Sequence, residues 1–199
     1  KIIDENGDRE NTLVVYVTDN GWIQNPDRGG YDARSKQTPY EGGIRTPIMF
    51  RWPSKIKPQE RDELVSSIDI VPTILAASNV KVPENLPGLN LLPHLEKQIP
   101  VKRDIIFGES FAHDIADINK PEASLLFRWA IKDQWKLLLT YDGEVNRYKS
   151  THPRNEKRPQ LFDLSNDPQE KINQAKENPN KVAELVKAIN SWYPLNERK

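Results

Sequence analysis

The sequence predicts an α/β fold, in which short apolar strands and amphipathic helices follow one another along 199 residues. Three observations indicate this class. An uninterrupted apolar run from Leu13 to Val17 is typical of a strand covered on both faces. Alternating apolar and polar residues from Phe127 to Thr140 are typical of an antiparallel hairpin. Apolar residues at helical spacing from Val182 to Trp192 predict a helix near the end of the chain.

The first predicted strand leads into a long polar segment. The run that ends at Val17 is followed by Thr18-Asp19-Asn20-Gly21, which is a turn signal. A second strand is predicted at Thr46 to Trp52, where Pro53 ends it. The segment between the strands, Gln24 to Gly43, contains Gly29, Gly30, Gly42 and Gly43. Because loops of this length are uncommon inside compact domains, the segment is either functional or disordered.

A helix is predicted next, at Ser66 to Ala77. Asp69 is suited to cap it, and Pro72 falls in the first turn, where a missing N–H group does little harm. A proline-rich stretch from Val80 to Pro100 follows and indicates a boundary between two parts of the chain. We therefore predict one domain over residues 1–95 and a second over residues 96–199.

The second part is predicted to form a small antiparallel sheet covered by a helix. Phe127 to Ile131 and Trp135 to Leu139 alternate in polarity, and the short link Asp133-Gln134 suits a hairpin. Ile105 to Gly108 and Gln160 to Leu164 are candidates for further strands. In the last helix, we expect Asn178 to be the cap, Pro179 to hold the first helical position and Pro194 to end the helix.

Composition excludes several classes of protein. The chain has 29 basic and 29 acidic residues, so it lacks the excess of positive charge that would favour binding of nucleic acid. With no cysteine, disulfide scaffolds, thiolate metal sites and a cysteine nucleophile are excluded for this chain. Its longest apolar run is far shorter than the ~20 residues that span a bilayer. The first residues, Lys1 to Glu5, also lack the apolar core of a secretion signal.

Two groups of residues are candidates for chemistry. Asp19 and Asn20 follow the first strand directly and offer carboxylate and amide oxygens, the ligands that Ca²⁺ and Mg²⁺ prefer. Taken alone, they are better explained as a turn, in which Asp and Asn bond to their own backbone. Lys36 precedes the glycine pair and is suited to bind an anion, while Glu41 and Arg45 are placed to pair and hold the loop. Taken alone, Lys36 is better explained as a solvated lysine.

The order of these groups resembles the sulfatase family, within the alkaline-phosphatase-like superfamily. The resemblance covers nearly the whole chain. The segments that carry it are Leu13 to Gly21, Lys36 to Pro47, Arg51-Trp52-Pro53, Ser67 to Leu75, Pro87 to Pro93 and Gln160 to Glu170. It implies part of an alkaline-phosphatase-like parallel or mixed sheet in the first part, and a small antiparallel sheet with a C-terminal helix in the second.

The resemblance also implies roles for individual residues. Asp19 and Asn20 correspond to ligands of a divalent cation, usually Ca²⁺, and Lys36 corresponds to the lysine that binds sulfate and stabilises charge as the ester bond breaks. His113 follows a predicted strand and is a candidate for contact with substrate. The family's nucleophile is a formylglycine made in a Cys/Ser-x-Pro-x-Arg motif, and this chain contains no such motif. We therefore expect a C-terminal portion of a sulfatase that is inactive alone and lacks the nucleophile half.

The expected partners follow from this interpretation. They are a sulfated small molecule or sulfated carbohydrate and the N-terminal half of the same protein, with no nucleic acid and no membrane. Surfaces that the other half covers in the family favour self-association of this chain. The family resemblance favours a periplasmic or extracellular location. Two alternatives stay open: a phosphodiesterase or phosphonate hydrolase of the same superfamily, and a non-catalytic binding fragment.

Overall fold

A computed structural model describes residues 2–112, 115–141 and 156–195 of the chain. The α-helices are α1 (Ile2–Glu5), α2 (Glu41–Ile44), α3 (Ile70–Ala77), α4 (Leu92–Lys97) and α5 (Pro179–Trp192). The strands are β1 (Val14–Val17), β2 (Ile48–Arg51), β3 (Ile105–Phe111), β4 (Leu125–Lys132), β5 (Trp135–Thr140) and β6 (Gln160–Asp163). Short 3₁₀ helices lie at Arg9–Asn11, Ser67–Asp69 and Pro121–Ser124.

The chain forms two compact units that interleave along the sequence. The first comprises residues 1–18 and 47–106, and the second comprises residues 19–46 and 107–199. The polar segment between the first two strands therefore belongs to the second unit, with the antiparallel sheet. These units do not test the domain boundary predicted near residue 95, which stays a prediction.

In the first unit, β1 and β2 form a two-stranded sheet. They pair antiparallel, with Val14 opposite Arg51 and Val17 opposite Ile48. A small apolar core built on Trp52, Ile56 and Leu92 includes side chains from β2, α3 and α4. The indole Nε1 of Trp52 donates a hydrogen bond to the Glu10 carbonyl oxygen, so the polar edge of this buried ring is satisfied.

The expectation that β1 is covered on both faces is wrong for this chain. Tyr16 and Val17 are 51% and 41% exposed. The sheet has only two strands within the described residues, and a sheet this small leaves apolar side chains open to solvent. The apolar run was typical of a covered strand, but the cover itself is not encoded locally.

The predicted helix over Ser66 to Ala77 is confirmed as the 3₁₀ turn Ser67–Asp69 followed by α3. The Asp69 carboxylate accepts the Ser66 N–H at 2.8 Å, in a capping box. It also accepts a hydrogen bond from the Leu89 N–H at 2.7 Å and two from the Arg103 guanidinium at 2.6 Å each. The cap is therefore Ser66 rather than Asp69 as predicted, and Asp69 is its partner in the box and a fully buried hub.

Four strands form the second sheet in the order β3-β4-β5-β6, and all of them except the first two residues of β3 belong to the second unit. The predicted hairpin is confirmed: β4 and β5 pair antiparallel with Lys132 opposite Trp135. Asp133, at the turn, has φ 53°, a left-handed conformation that aspartate tolerates. The further strands predicted at Ile105 and at Gln160 are β3 and β6.

Helix α5 has the predicted bounds and covers one face of this sheet. Its Leu185 and Ile189 are fully buried, and Arg128 of β4 donates hydrogen bonds to Asn190 Oδ1 and to the Tyr193 carbonyl oxygen. Asn178 does not cap the helix through its side chain. Its Nδ2 instead donates to the Gln174 carbonyl oxygen, and Pro179 begins the helix.

The α/β class predicted from the sequence is confirmed, with two antiparallel sheets and a C-terminal helix. The two strands expected to belong to a parallel or mixed sheet are antiparallel to each other. None of the helices among the described residues combines the length and the apolar character needed to cross a bilayer.

Candidate functional site

Two segments of the second unit come together around the candidate residues. One follows β1 and carries Asp19 and Asn20; the other precedes β2 and carries Lys36. The Gly21 N–H donates to the Gly43 carbonyl oxygen at 2.8 Å. The Ile23 N–H donates to Ser35 Oγ at 2.5 Å, and Ser35 is fully buried. The turn after β1 is therefore bonded directly to the loop that holds Lys36.

Glycines make this approach possible. A Cβ atom on Gly43 would lie 2.3 Å from the Ser35 carbonyl oxygen, and one on Gly21 would lie 2.3 Å from the Gly42 carbonyl oxygen. No side chain fits at these distances, so backbone packs directly against backbone. Of the glycines singled out in the sequence, Gly42 and Gly43 serve this close packing, whereas Gly29 and Gly30 have open space around them.

Asp19 and Asn20 lie at the start of the turn. Asp19 is exposed, and its Oδ1 accepts the Asn20 N–H at 2.9 Å. Asn20 Nδ2 donates to the Gly21 carbonyl oxygen at 2.8 Å. Because Nδ2 of the amide makes this bond, Oδ1 of the same amide is directed away from the Gly21 carbonyl oxygen. The local bonds are those of a turn, and they still leave one carboxylate oxygen and one amide oxygen as acceptors.

These residues fit a divalent cation in chemistry but not in number. Both remaining groups are hard oxygen donors, whereas Ca²⁺ takes about six to eight oxygens. Over residues 2–112, 115–141 and 156–195, no three His, Cys, Asp or Glu side chains cluster in a way that could hold a metal. Asp19 and Asn20 can therefore be part of a ligand set, not all of it.

Lys36 is half-buried beside the turn. Its Nζ lies 5.8 Å from the centre of the Trp22 ring, close enough for a weak cation–π contact. Trp22 itself packs edge-on against Tyr31 at 5.2 Å. The ammonium group is thus held near the residues that follow Asn20. Its role in binding an anion stays a prediction, as do the roles of Asp19 and Asn20.

The expected pair between Glu41 and Arg45 is not formed. Glu41 is buried, and its Oε1 accepts a hydrogen bond at 2.9 Å from Lys136 of β5, whereas Arg45 is exposed. Because Lys136 pairs with the buried Glu41 carboxylate, the exposed Arg45 is not its partner. Sequence reasoning missed Lys136, and the one signal for it was a lysine between apolar residues on a predicted strand.

Glu170 completes this buried cluster. Its Oε2 accepts the Glu41 N–H at 2.5 Å, and its Oε1 lies 2.8 Å from the Lys136 ammonium. Burial raises the pKa of Glu170, and the positive charge of Lys136 opposes that shift. Burial also raises the pKa of the neighbouring Tyr40, whose hydroxyl donates to Gln160 Oε1 at 3.0 Å. His113, the candidate for substrate contact, lies outside the described residues.

Comparison with known proteins places the chain in a family. Residues 1–80 match the family model described as Sulfatase. N-acetylgalactosamine-6-O-sulfatase of Bacteroides thetaiotaomicron is 28% identical over 202 residues, covering 92% of this chain and 36% of that protein. Arylsulfatase K of Xenopus laevis is 30% identical over 182 residues, covering 90% of this chain and 31% of that protein. The chain thus spans about a third of the length of these relatives.

Comparison of the fold with solved structures supports the same family. A solved structure from a study of the metabolism of multiple glycosaminoglycans by Bacteroides thetaiotaomicron superposes with a TM-score of 0.71 at 27% identity. The superposition covers 96% of this chain and 40% of that one. With the matched segment and the relatives, this shared fold shows that the chain belongs to the sulfatase family.

Proposed function

We propose that this chain is the C-terminal portion of a sulfuric ester hydrolase and contributes part of its active site. In this proposal, Asp19 and Asn20 are two ligands of a divalent cation, and Lys36 binds the oxygens of the sulfate group. The remaining ligands and the formylglycine nucleophile belong to the N-terminal half, outside these 199 residues. By analogy with the name of the N-acetylgalactosamine-6-O-sulfatase, the substrate is a sulfated carbohydrate.

One observation carries the proposal. The turn after β1 and the loop before β2 are joined by the bonds Gly21 N–H to Gly43 carbonyl and Ile23 N–H to Ser35 Oγ. A carboxylate, an amide and an ammonium group that are distant in sequence are therefore presented by one backbone-packed region. These groups are suited to contribute to the binding of an anion beside a cation.

The contributions of the chain's own residues follow from their chemistry. Lys36 is a compact positive charge on a flexible stem, so it can follow the sulfate oxygens as negative charge develops on the leaving group. The Trp22 ring lies 5.8 Å from that charge. Asp19 and Asn20 supply oxygen donors in a turn whose shape is set by its own hydrogen bonds. A bound cation supplies charge stabilisation for the sulfate oxygens.

The first test uses the full-length protein and 4-nitrophenyl sulfate. We expect Lys36→Ala and Asp19→Asn each to lower kcat/KM by about 100-fold or more, because each removes a charge that acts on the transition state. The matched controls are Lys171→Ala and Asp27→Asn, which remove exposed charges of the same unit and are expected to stay near wild type. Circular dichroism and thermal unfolding check that every variant folds.

Three results would contradict the proposal. Near-wild-type turnover in Lys36→Ala or Asp19→Asn would refute the site assignment. Preferential hydrolysis of a phosphate diester or a phosphonate monoester over the sulfate would favour the alternative hydrolase class. Turnover of the sulfate by the 199-residue chain alone, which we expect to be inactive and to bind divalent metal weakly, would show that no further half is needed.

A further inference from the structure

Lys136 is the most deeply buried charge among the described residues of the second unit. Its side chain is 0% exposed, and it lies between two carboxylates, Glu41 on α2 and Glu170 after β6. The Trp129 ring, 5.7 Å from the ammonium group, forms another side of its environment. A charge in this position requires partners, since an unpaired buried ion costs several kcal/mol.

The cluster lies on the sheet face opposite α5. Lys136 pairs across the strands with Ile131 and Phe162, on the face that also carries Trp129 and Gln160. The loop of residues 34–44 covers this face: Tyr40 packs edge-on against Phe162 at 6.2 Å and donates its hydroxyl hydrogen bond to Gln160. The segment that carries Lys36 is therefore the layer that packs on the sheet.

Glu170 contacts this loop at two places. Its carboxylate accepts the Glu41 N–H at 2.5 Å. Its backbone carbonyl oxygen accepts a hydrogen bond from Arg34 Nη1, and the Arg34 guanidinium lies 4.6 Å from the centre of the Tyr40 ring. Glu170 thus holds the loop at both ends, two residues before Lys36 and five residues after it.

Stability alone does not explain a cluster of this composition. Two carboxyl groups and one ammonium group are buried together here, and well-packed apolar residues of similar volume are often equally stable or more stable in such a place. What such a cluster does fix is geometry, because each group must meet its partners at hydrogen-bonding distance. The element whose geometry it fixes is the loop with Lys36.

We propose that Lys136, with Glu41 and Glu170, is a positioning residue that holds the 34–44 loop, and so Lys36, in the geometry that sulfate binding needs. This inference rests on the proposed function, since it assigns the cluster a role in the same site. It couples the antiparallel sheet to the site, because the sheet sets where Lys36 lies.

The experiment compares Lys136→Met with Lys132→Met in the full-length protein. Both variants remove a lysine of the β4–β5 hairpin that pairs with glutamate. Lys136 pairs with Glu41 and Glu170, whereas Lys132 pairs with Glu184 of α5. Hydrogen exchange is read at the amides of Gly43, Ile44 and Arg45, whose hydrogen bonds stay within the loop, and at the amides of β4 and β5. Turnover of 4-nitrophenyl sulfate is measured on the same samples.

We expect Lys136→Met to raise exchange in the loop at least about tenfold more than in β4 and β5, and to lower kcat by a similar factor. Lys132→Met should change neither the loop nor kcat. A purely structural role would raise exchange in the loop and the strands by one common factor. That result, or a loosened loop with unchanged turnover, would overturn the proposal.

Two further variants keep the outcomes distinct. Lys36→Ala should lower turnover while loop exchange stays at the wild-type level; if it retains turnover, the proposed function fails, and the role assigned to the cluster fails with it. If Lys136→Met does not fold, Glu41→Gln is measured instead, because it removes one charge while Lys136 keeps Glu170. It is expected to loosen the loop selectively by about threefold, and unchanged loop exchange in Glu41→Gln would overturn the positioning role.

Discussion

At the scale of single residues, Asp69 makes more contacts than the sequence predicted for it. Asp69 was expected to cap a helix, but Ser66 is the capping residue, and Asp69 is its partner whose carboxylate accepts the Ser66 N–H. The same carboxylate also accepts the Leu89 N–H and both arms of Arg103. One residue thereby ties the start of α3 to two later segments of the first unit.

Replacing Asp69 tests the importance of this hub. We expect Asp69→Asn to lower the free energy of unfolding by about 3 kcal/mol, because it leaves the buried arm of Arg103 without a carboxylate. The control, Asp62→Asn, removes an exposed carboxylate of the same unit and should cost less than about 0.5 kcal/mol. Urea unfolding of the 199-residue chain measures both, and equal stability of the two variants would contradict the prediction.

At the scale of elements, ion pairs hold connecting segments against helices. Arg61 donates to Glu63 Oε2 at 3.1 Å and to the carbonyl oxygens of His94 at 3.2 Å and Ile99 at 2.9 Å. The proline-rich stretch around α4 is thus fastened by a side chain that lies about thirty residues earlier in the sequence. Hydrogen bonds from Arg61 lower the pKa of Glu63 to about 2.

The lowered pKa of Glu63 predicts a pH dependence of stability. A carboxyl group whose pKa is lower in the folded state stabilises the fold above its ordinary pKa of 4.5, and the gain is lost as the pH falls toward 2. We expect wild type to exceed Glu63→Gln by about 1 kcal/mol at pH 7, since the pair is partly exposed.

Urea unfolding at pH 7, 5, 4 and 3 measures this difference. The gap should persist at pH 5, narrow below pH 4.5 and be smallest at pH 3. Glu60→Gln, in the same segment, is the control because its carboxylate is exposed, and its difference from wild type should stay small throughout. A gap that widens toward low pH would have the wrong sign.

At the scale of the whole molecule, the first unit exposes apolar side chains in groups. Tyr16 and Met49 are direct partners across β1 and β2, and both are about half exposed. Val71 and Ile74 lie one turn apart on α3 and are also exposed. Grouped apolar surface of this kind marks a contact region. A chain that spans about a third of its relatives is expected to have such surfaces.

These surfaces predict self-association of the chain when it is produced alone. We expect sedimentation velocity to show species larger than the monomer at high concentration. Met49→Lys combined with Val71→Lys should shift the distribution toward monomer, because charged side chains oppose apolar contact. Ile172→Lys, which changes an exposed isoleucine of the other unit, is the control and should leave association unchanged. A clean monomer for the unmodified chain would refute the expectation.

The sequence by itself determined the elements whose signals are local. The β4–β5 hairpin follows from alternation and a two-residue link, and α5 follows from apolar spacing between Pro179 and Pro194. It also identified the family and the order of the candidate residues Asp19, Asn20 and Lys36. These features depend on neighbours within a few residues, or on a motif, and both are readable from the chain alone.

Only the tertiary structure decided which partners those residues have. Glu41 pairs with Lys136, 95 positions later, and its N–H bonds to Glu170, 129 positions later. No periodicity or spacing encodes such a pair, because it forms only when the sheet brings distant segments to hydrogen-bonding distance. The exposure of β1 is of the same kind: an apolar run requires a cover, but what covers it depends on the rest of the fold.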